Sequence, residues 1–176
     1  MANGSSSGNQ TEPSADTSVE QNKAVSRRWI DAFNARDDAG EADVRAPDYV
    51  AYAPASLEPA PLNSQTWTGF LAGFVEGFPD LRLTVEDAVA EGDLVAQRVH
   101  FEGTHTGVFQ GLPPTHKTVS FSGLELNRFA DGKVVEHWFQ LDALGLLQQL
   151  GLKVVPGPRL LPRILAQQLD KLRGKH

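Results

Sequence analysis

The chain has 176 residues, 40 % of them hydrophobic and 22 % charged, which fits one globular domain with a real core and leaves little room for two. The absence of cysteine excludes disulfides, thiolate nucleophiles and Cys-containing metal sites, so any chemistry must use His, carboxylates or hydroxyls. The formal charge of −6 is uneven: residues 153 to 176 hold six basic side chains against Asp170 alone, and the acidic remainder does not suit a phosphate backbone, so nucleic acid is not an expected partner.

The first 17 residues, "MANGSSSGNQTEPSADT", are Ser/Gly/Asn-rich and poor in large apolar side chains, and are expected to be a disordered tail. The sequons at Asn3 and Asn9 carry little meaning without a secretory leader, and none is visible. No apolar run approaches 18 residues, so the expected compartment is the cytoplasm. Thr17-x-x-Glu20 or Ser18-x-x-Gln21 can act as a capping box, followed by Val25, Trp29, Ala32 and Phe33 on one helical stripe that ends near Arg36.

Residues 37 to 65 are acidic and Pro-rich, with a strand fragment at "DYVAY". "TWTGFLAGFVEGFPDL" places Phe70, Leu71, Phe74 and Val75 on one face of a second helix that Gly77 and Pro79 stop. Four strands follow: "LRLTVEDAVA", "LVAQRVHFEG", "KTVSFSGLELNRF" and "VVEHWFQLD". Turns at "EGD" and "ADGK" join the first to the second and the third to the fourth, and Asp131-Gly132 is the strongest hairpin signal in the chain. Helices followed by consecutive hairpin-linked strands predict an α+β domain over 18–152. Its expected form is a curved antiparallel sheet with helices on one face and a pocket between them.

In "VVEHWFQLD", strict alternation puts Val134, Glu136, Trp138, Gln140 and Asp142 on one side and Val135, His137, Phe139 and Leu141 on the other. Asp142 has two readings. A carboxylate desolvated at the end of a strand is a proton carrier near neutral pH, whereas an Asp before "ALGLLQQLG" is also an ordinary helix N-cap.

"FPDL", "GTHTGVFQGLPPT", "RFADGKVVEHW" and "LDALGLLQQLG", in this order and spacing, resemble the SnoaL-like polyketide cyclases of the superfamily named for nuclear transport factor two. The resemblance covers about residues 20 to 152. It implies a cone-shaped α+β barrel, often dimeric, with an interior pocket for a small-molecule substrate. It also implies ring closure by intramolecular aldol condensation with an aspartate as acid/base and neither metal nor cofactor. Asp142 matches that aspartate best.

On this reading His137 or His105 would donate to an enolate oxygen, while Trp138 and Phe121 hold a flat ligand, with Trp29, Phe33, Tyr52 and Gln140 also lining the site. Tyr52 stands where relatives often carry His, and His116 where they often carry Gly. His137 lies on the strand face opposite Asp142 unless a bulge intervenes. The histidines show no His-x-x-x-His or facial-triad spacing, so no metal is expected. The same fold also hosts binding proteins, which leaves a non-catalytic pocket protein as the alternative.

Beyond 152, "PRLLPRILAQQLDKLRGK" places Leu160, Leu161, Ile164, Leu165, Leu169 and Leu172 along one face of a basic amphipathic helix. Packing on the acidic body or across a homodimer is its expected use. Contact with a membrane surface is the alternative, disfavoured by the lack of an aromatic anchor.

Overall fold

In this computed structural model residues 15–153, 155, 157, 159, 160 and 162–167 are described. Helix α1 (Ala15–Ala35) is followed by the short α2 (Asp38–Asp43), strand β1 (Arg45–Tyr52), helix α3 (Ser64–Gly77), strands β2 (Arg82–Glu91), β3 (Leu94–Thr104), β4 (Thr118–Ala130) and β5 (Lys133–Leu141), and helix α4 (Ala143–Leu150). The strands form one sheet in the order β1-β5-β4-β3-β2, with helices against its inner face.

Two expectations about the sheet are corrected. It is mixed, because β1 runs parallel to β5, and it is not closed into a barrel. The "DYVAY" fragment returns through α3 and the β2–β4 meander before its partner strand is made, and such a long connection permits parallel pairing. The four later strands and their turns fall where alternation and turn chemistry put them. Asp131 (φ 50°) and Gly132 (φ 71°) are both left-handed, as a two-residue hairpin of the primed kind requires.

α1 already runs at Ala15, upstream of the expected cap, so Thr17 and Ser18 lie inside the helix. Residues 1–14 of the expected tail lie outside the described residues. α1 ends in a Schellman arrangement: Asp37 N–H donates to Ala32 O (2.9 Å) and Arg36 N–H to Phe33 O (3.0 Å), with Arg36 itself left-handed at φ 58°. A non-glycine residue is held there because the Arg36 guanidinium donates to the carbonyls of Phe33 (2.9 Å), Pro79 (3.0 Å) and Leu81 (2.7 Å). The end of α1 is thereby tied to the start of β2. Of the expected C-terminal helix, residues 162–167 are helical and exposed, while 168–176 lie outside the described residues.

The core lies between α1, α3 and the inner sheet face. It is built from Trp29, Phe33, Tyr49, Trp67, Phe74, Phe78, Val99, Phe101, Phe121 and Phe139 with their smaller neighbours. Alternation on β4 sends Val119, Phe121, Gly123, Glu125, Asn127 and Phe129 inward, and β3 matches it with Val95, Gln97, Val99 and Phe101. On β5 a bulge breaks the alternation: Arg128 pairs with Glu136 but Phe129 with Val134, so Val134 and His137 both point inward.

Candidate functional site

The inner face gathers polar side chains that the register explains. Glu125 of β4 stands between Gln97 of β3 and Phe139 of β5, and Asn127, two residues on, stands between Val95 and His137. Gln97 Nε2 donates to Glu125 Oε2 at 2.6 Å. Glu125 also lines an apolar chamber of about 30 Å³ with Phe33, Trp67, Leu71, Phe101 and Phe139 among its walls. Burial pushes the Glu125 carboxyl up to about 7, opposed by the Gln97 hydrogen bond, so it can gain or lose a proton near neutrality.

His137 is 2 % exposed and sits edge-on to two indoles, with ring centroids 4.8 Å from Trp29 and 4.7 Å from Trp67. Burial, helped by the positive charge of Arg45, drives its pKa down to about 3, so the ring is neutral. The Tyr49 hydroxyl lies 3.1 Å from His137 Nδ1, and burial holds that phenol far above its ordinary pKa. A protonated Tyr49 hydroxyl can donate to Nδ1, and in that arrangement the ring hydrogen is on Nε2. His137 Nε2 and Trp67 Nε1 are then buried donors without an acceptor among the described residues.

A wider cleft of about 280 Å³ opens between α2 and α3, lined by Phe33, Arg36, Asp38, Glu41, Thr68, Leu71, Ala72 and Val75. Phe33 and Leu71 line both spaces and form the partition between them. Glu41 is buried, accepts a long bond from Trp29 Nε1 (3.4 Å), and has its pKa raised by desolvation. Behind the cleft, Arg45 Nη2 donates to Thr68 Oγ1 at 3.0 Å.

The structure thus brings together three of the expected residues, His137, Trp29 and Phe33, and separates the others. Asp142 is exposed and is the N-cap of α4, accepting a bond from Gly145 N–H at 2.8 Å. The capping alternative describes it, with the carboxylate lying close over Gly145, where an added Cβ would make the Asp142 side chain shift. Trp138 and Gln140 lie on the outer sheet face, opposite His137, because β5 alternates beyond its bulge. Tyr52 stacks on Trp138 with centroids 5.3 Å apart, since β1 pairs Tyr52 with Trp138. None of these three faces the chamber.

Phe121 is core, stacked on Phe101 at 4.8 Å, and only Phe101 reaches the chamber wall. His105 is fully buried beside Phe78 and Phe109, and its Nδ1 accepts from Thr115 N–H (3.2 Å) with Thr115 Oγ1 at 3.0 Å. Desolvation lowers its pKa. It pins the loop after β3, whose Thr106 and Gly107 N–H groups both reach Gly77 O, and a Cβ on Gly107 would stand 1.8 Å from Glu76 O.

Sequence reasoning missed Glu125, Gln97, Tyr49, Trp67 and Arg45. The signal for the first was available: in "FSGLELNRF" alternation puts Glu125 on the same face as Phe121 and Phe129, an acid where an apolar side chain belongs.

Comparison with known proteins agrees with this architecture. The family model described as SnoaL-like polyketide cyclase matches residues 23–150. Nogalonic acid methyl ester cyclase of Streptomyces nogalater is 32 % identical over 126 residues, covering 69 % of this chain and 91 % of that protein. Among solved structures, AclR of Streptomyces galilaeus, a candidate hydroxylase, superposes with a TM-score of 0.71 at 34 % identity, covering 90 % of this chain and 99 % of that one. IdmH of Streptomyces antibioticus, a candidate polyketide cyclase, gives 0.69 at 35 % identity, covering 75 % and 99 %. The protein belongs to the SnoaL-like polyketide cyclase family.

Proposed function

We propose that the protein is an acid/base enzyme of the polyketide-cyclase type, closing a ring in a small carbonyl substrate by intramolecular aldol condensation, with Glu125 as the proton carrier. An α-carbon flanked by two carbonyls is acidic enough for a carboxylate of raised pKa, provided water is excluded and the enolate oxygen is hydrogen-bonded. Glu125 takes the α-proton, the enolate carbon forms a bond to the second carbonyl carbon, and the resulting alkoxide takes the proton back. His137 Nε2–H and Trp67 Nε1–H are the donors that suit the developing oxyanion. The observation that carries this reading is the placement of Glu125: the acid lines an apolar chamber, where burial raises its proton affinity.

The named chemistry of the Streptomyces nogalater relative makes nogalonic acid methyl ester the first trial substrate. Glu125→Gln should keep the fold and lower turnover by about 100-fold or more, the usual contribution of a positioned acid/base. Wild-type turnover in that variant would remove Glu125 from the mechanism.

The tightness of the inner chamber favours a second reading, a ligand-binding protein in which Glu125 serves only as the buried partner of Gln97. Tight binding of the trial substrate without turnover by the wild-type protein would support it.

A further inference from the structure

The buried acid and the room for a ligand lie in different spaces. Glu125 lines the chamber of about 30 Å³, which is the room that about one water takes. The cleft of about 280 Å³ approaches the size of small-molecule sites, yet Glu125 is not among its lining residues. A compound held in the cleft reaches the carboxyl only past the side chains common to both spaces, Phe33 and Leu71.

Helical spacing explains why Leu71 belongs to both. Trp67, Leu71 and Phe74, at i, i+4 and i+7, turn one stripe of α3 to the chamber, whereas Thr68, Leu71, Ala72 and Val75 turn the adjoining stripe to the cleft. Its counterpart on α1, Phe33, is 5 % exposed, and the Arg36 guanidinium, itself tied to three carbonyls, covers the Phe33 ring at 4.9 Å. Leu71 is only partly buried and has the cleft beside it, so of the two it is the side chain with room to turn. The two spaces also differ in chemistry. Arg36, Asp38, Glu41 and Thr68 in the cleft suit polar substituents, while the chamber walls are apolar apart from Glu125 and the Trp67 indole N–H.

We propose that Leu71 determines specificity: a substrate of more than one ring spans both spaces, with its enolisable carbon at Glu125 and its polar substituents in the cleft, and the Leu71 side chain sets the width of the passage between them. The role of the enolisable carbon rests on the function proposed above. The spanning of the two spaces does not, and it is read from binding alone.

The test uses phenol and 4-phenylphenol as probes, titrated into the full chain and followed by calorimetry. Both carry the same neutral hydroxyl, and the second adds a ring long enough to enter the passage. Leu71→Ala should tighten 4-phenylphenol about tenfold or more relative to phenol, the scale of discrimination that methylene-sized changes give in an apolar pocket. The added ring should show nuclear Overhauser contacts to Phe101 and Phe139, which line the chamber and not the cleft. Val75 lines the cleft alone, so Val75→Ala should leave the ratio of the two affinities where it is. An unmoved ratio in Leu71→Ala, an equal gain in Val75→Ala, or a bound ring without contacts to Phe101 and Phe139 would overturn the proposal.

Should Leu71→Ala fail to fold, Leu71→Phe decides. Narrowing the passage should weaken 4-phenylphenol relative to phenol and remove the contacts to Phe139, and a ratio equal to that of the wild type refutes the assignment. None of these readings involves turnover, so wild-type turnover in Glu125→Gln would sink the acid/base role and leave the selectivity result standing.

Discussion

Two carboxylates on neighbouring strands of this sheet meet opposite fates. Asp142, at the exposed end of β5, receives a helix N–H and faces water, whereas Glu125, in the middle of β4, is buried between Gln97 and Phe139 and lines an apolar chamber. The motif around Asp142 resembles the family's acid; the environment of Glu125 is what gives an acid its chemistry. Burial decides proton affinity, and burial is a property of the register rather than of the local motif.

The comparison can be broken most decisively through pH. Glu125 holds its proton more tightly in the folded chain (about 7) than at its ordinary value of 4.5. Its contribution to stability is therefore fullest below pH 4.5, declines as pH rises toward 7, and is flat above that. The shift corresponds to about 3 kcal/mol. His137 runs the other way, its depressed pKa costing stability as pH falls below its ordinary 6.5, but it is present in both wild type and Glu125→Gln and cancels in their difference. Urea titrations of the two proteins should show the wild-type advantage shrinking by about 3 kcal/mol between pH 4.5 and 7. A pH-independent difference would mean that Glu125 is solvated after all.

A smaller effect sharpens the inner side of the contrast. Tyr49→Phe removes the donor to His137 Nδ1 and leaves a buried acceptor unpaired, which should cost about 1–3 kcal/mol by urea midpoint. It should also release the ring to adopt its other tautomer, visible in the imidazole nitrogen shifts. Unchanged stability and shifts would show that this hydrogen bond does not fix the ring.

The smallest effect belongs to the exposed acid. Asp142→Ala loses one N-cap bond and should cost about 1 kcal/mol, a fall of a few degrees in melting temperature, with turnover per folded molecule unaltered. A variant that folds and yet loses turnover would return Asp142 to the chemistry.

Much of the architecture is legible in local pattern. The β2 to β5 strands follow from period-two alternation, and Asp131-Gly132 marks its hairpin, because both signals act within a few residues. The pairing of β1 with β5 is not legible in this way, since it joins segments about 90 residues apart and nothing in "DYVAY" states a direction. Alternation also sets Trp138 and Gln140 opposite His137, as found; it fails only at the start of β5, where the bulge around Val135 depends on how β4 lies beside it and turns Val134 inward with His137. Asp142 misleads because an N-cap and a desolvated base draw on the same residue type. Arg45 gives no sequence signal, as the cost of its charge appears only when its neighbours are known.

The anchoring of Arg36 has a mechanical corollary. Its guanidinium knits the last turn of α1 to the chain entering β2 by three carbonyl contacts, and the same side chain forms part of the cleft rim. The opposite rim, on α3, meets the opening through apolar side chains and the Arg45–Thr68 bond. One jamb of the doorway is therefore fastened by side-chain bonds to main-chain carbonyls, and the other by the burial of Trp67 and Phe74 in the core behind it.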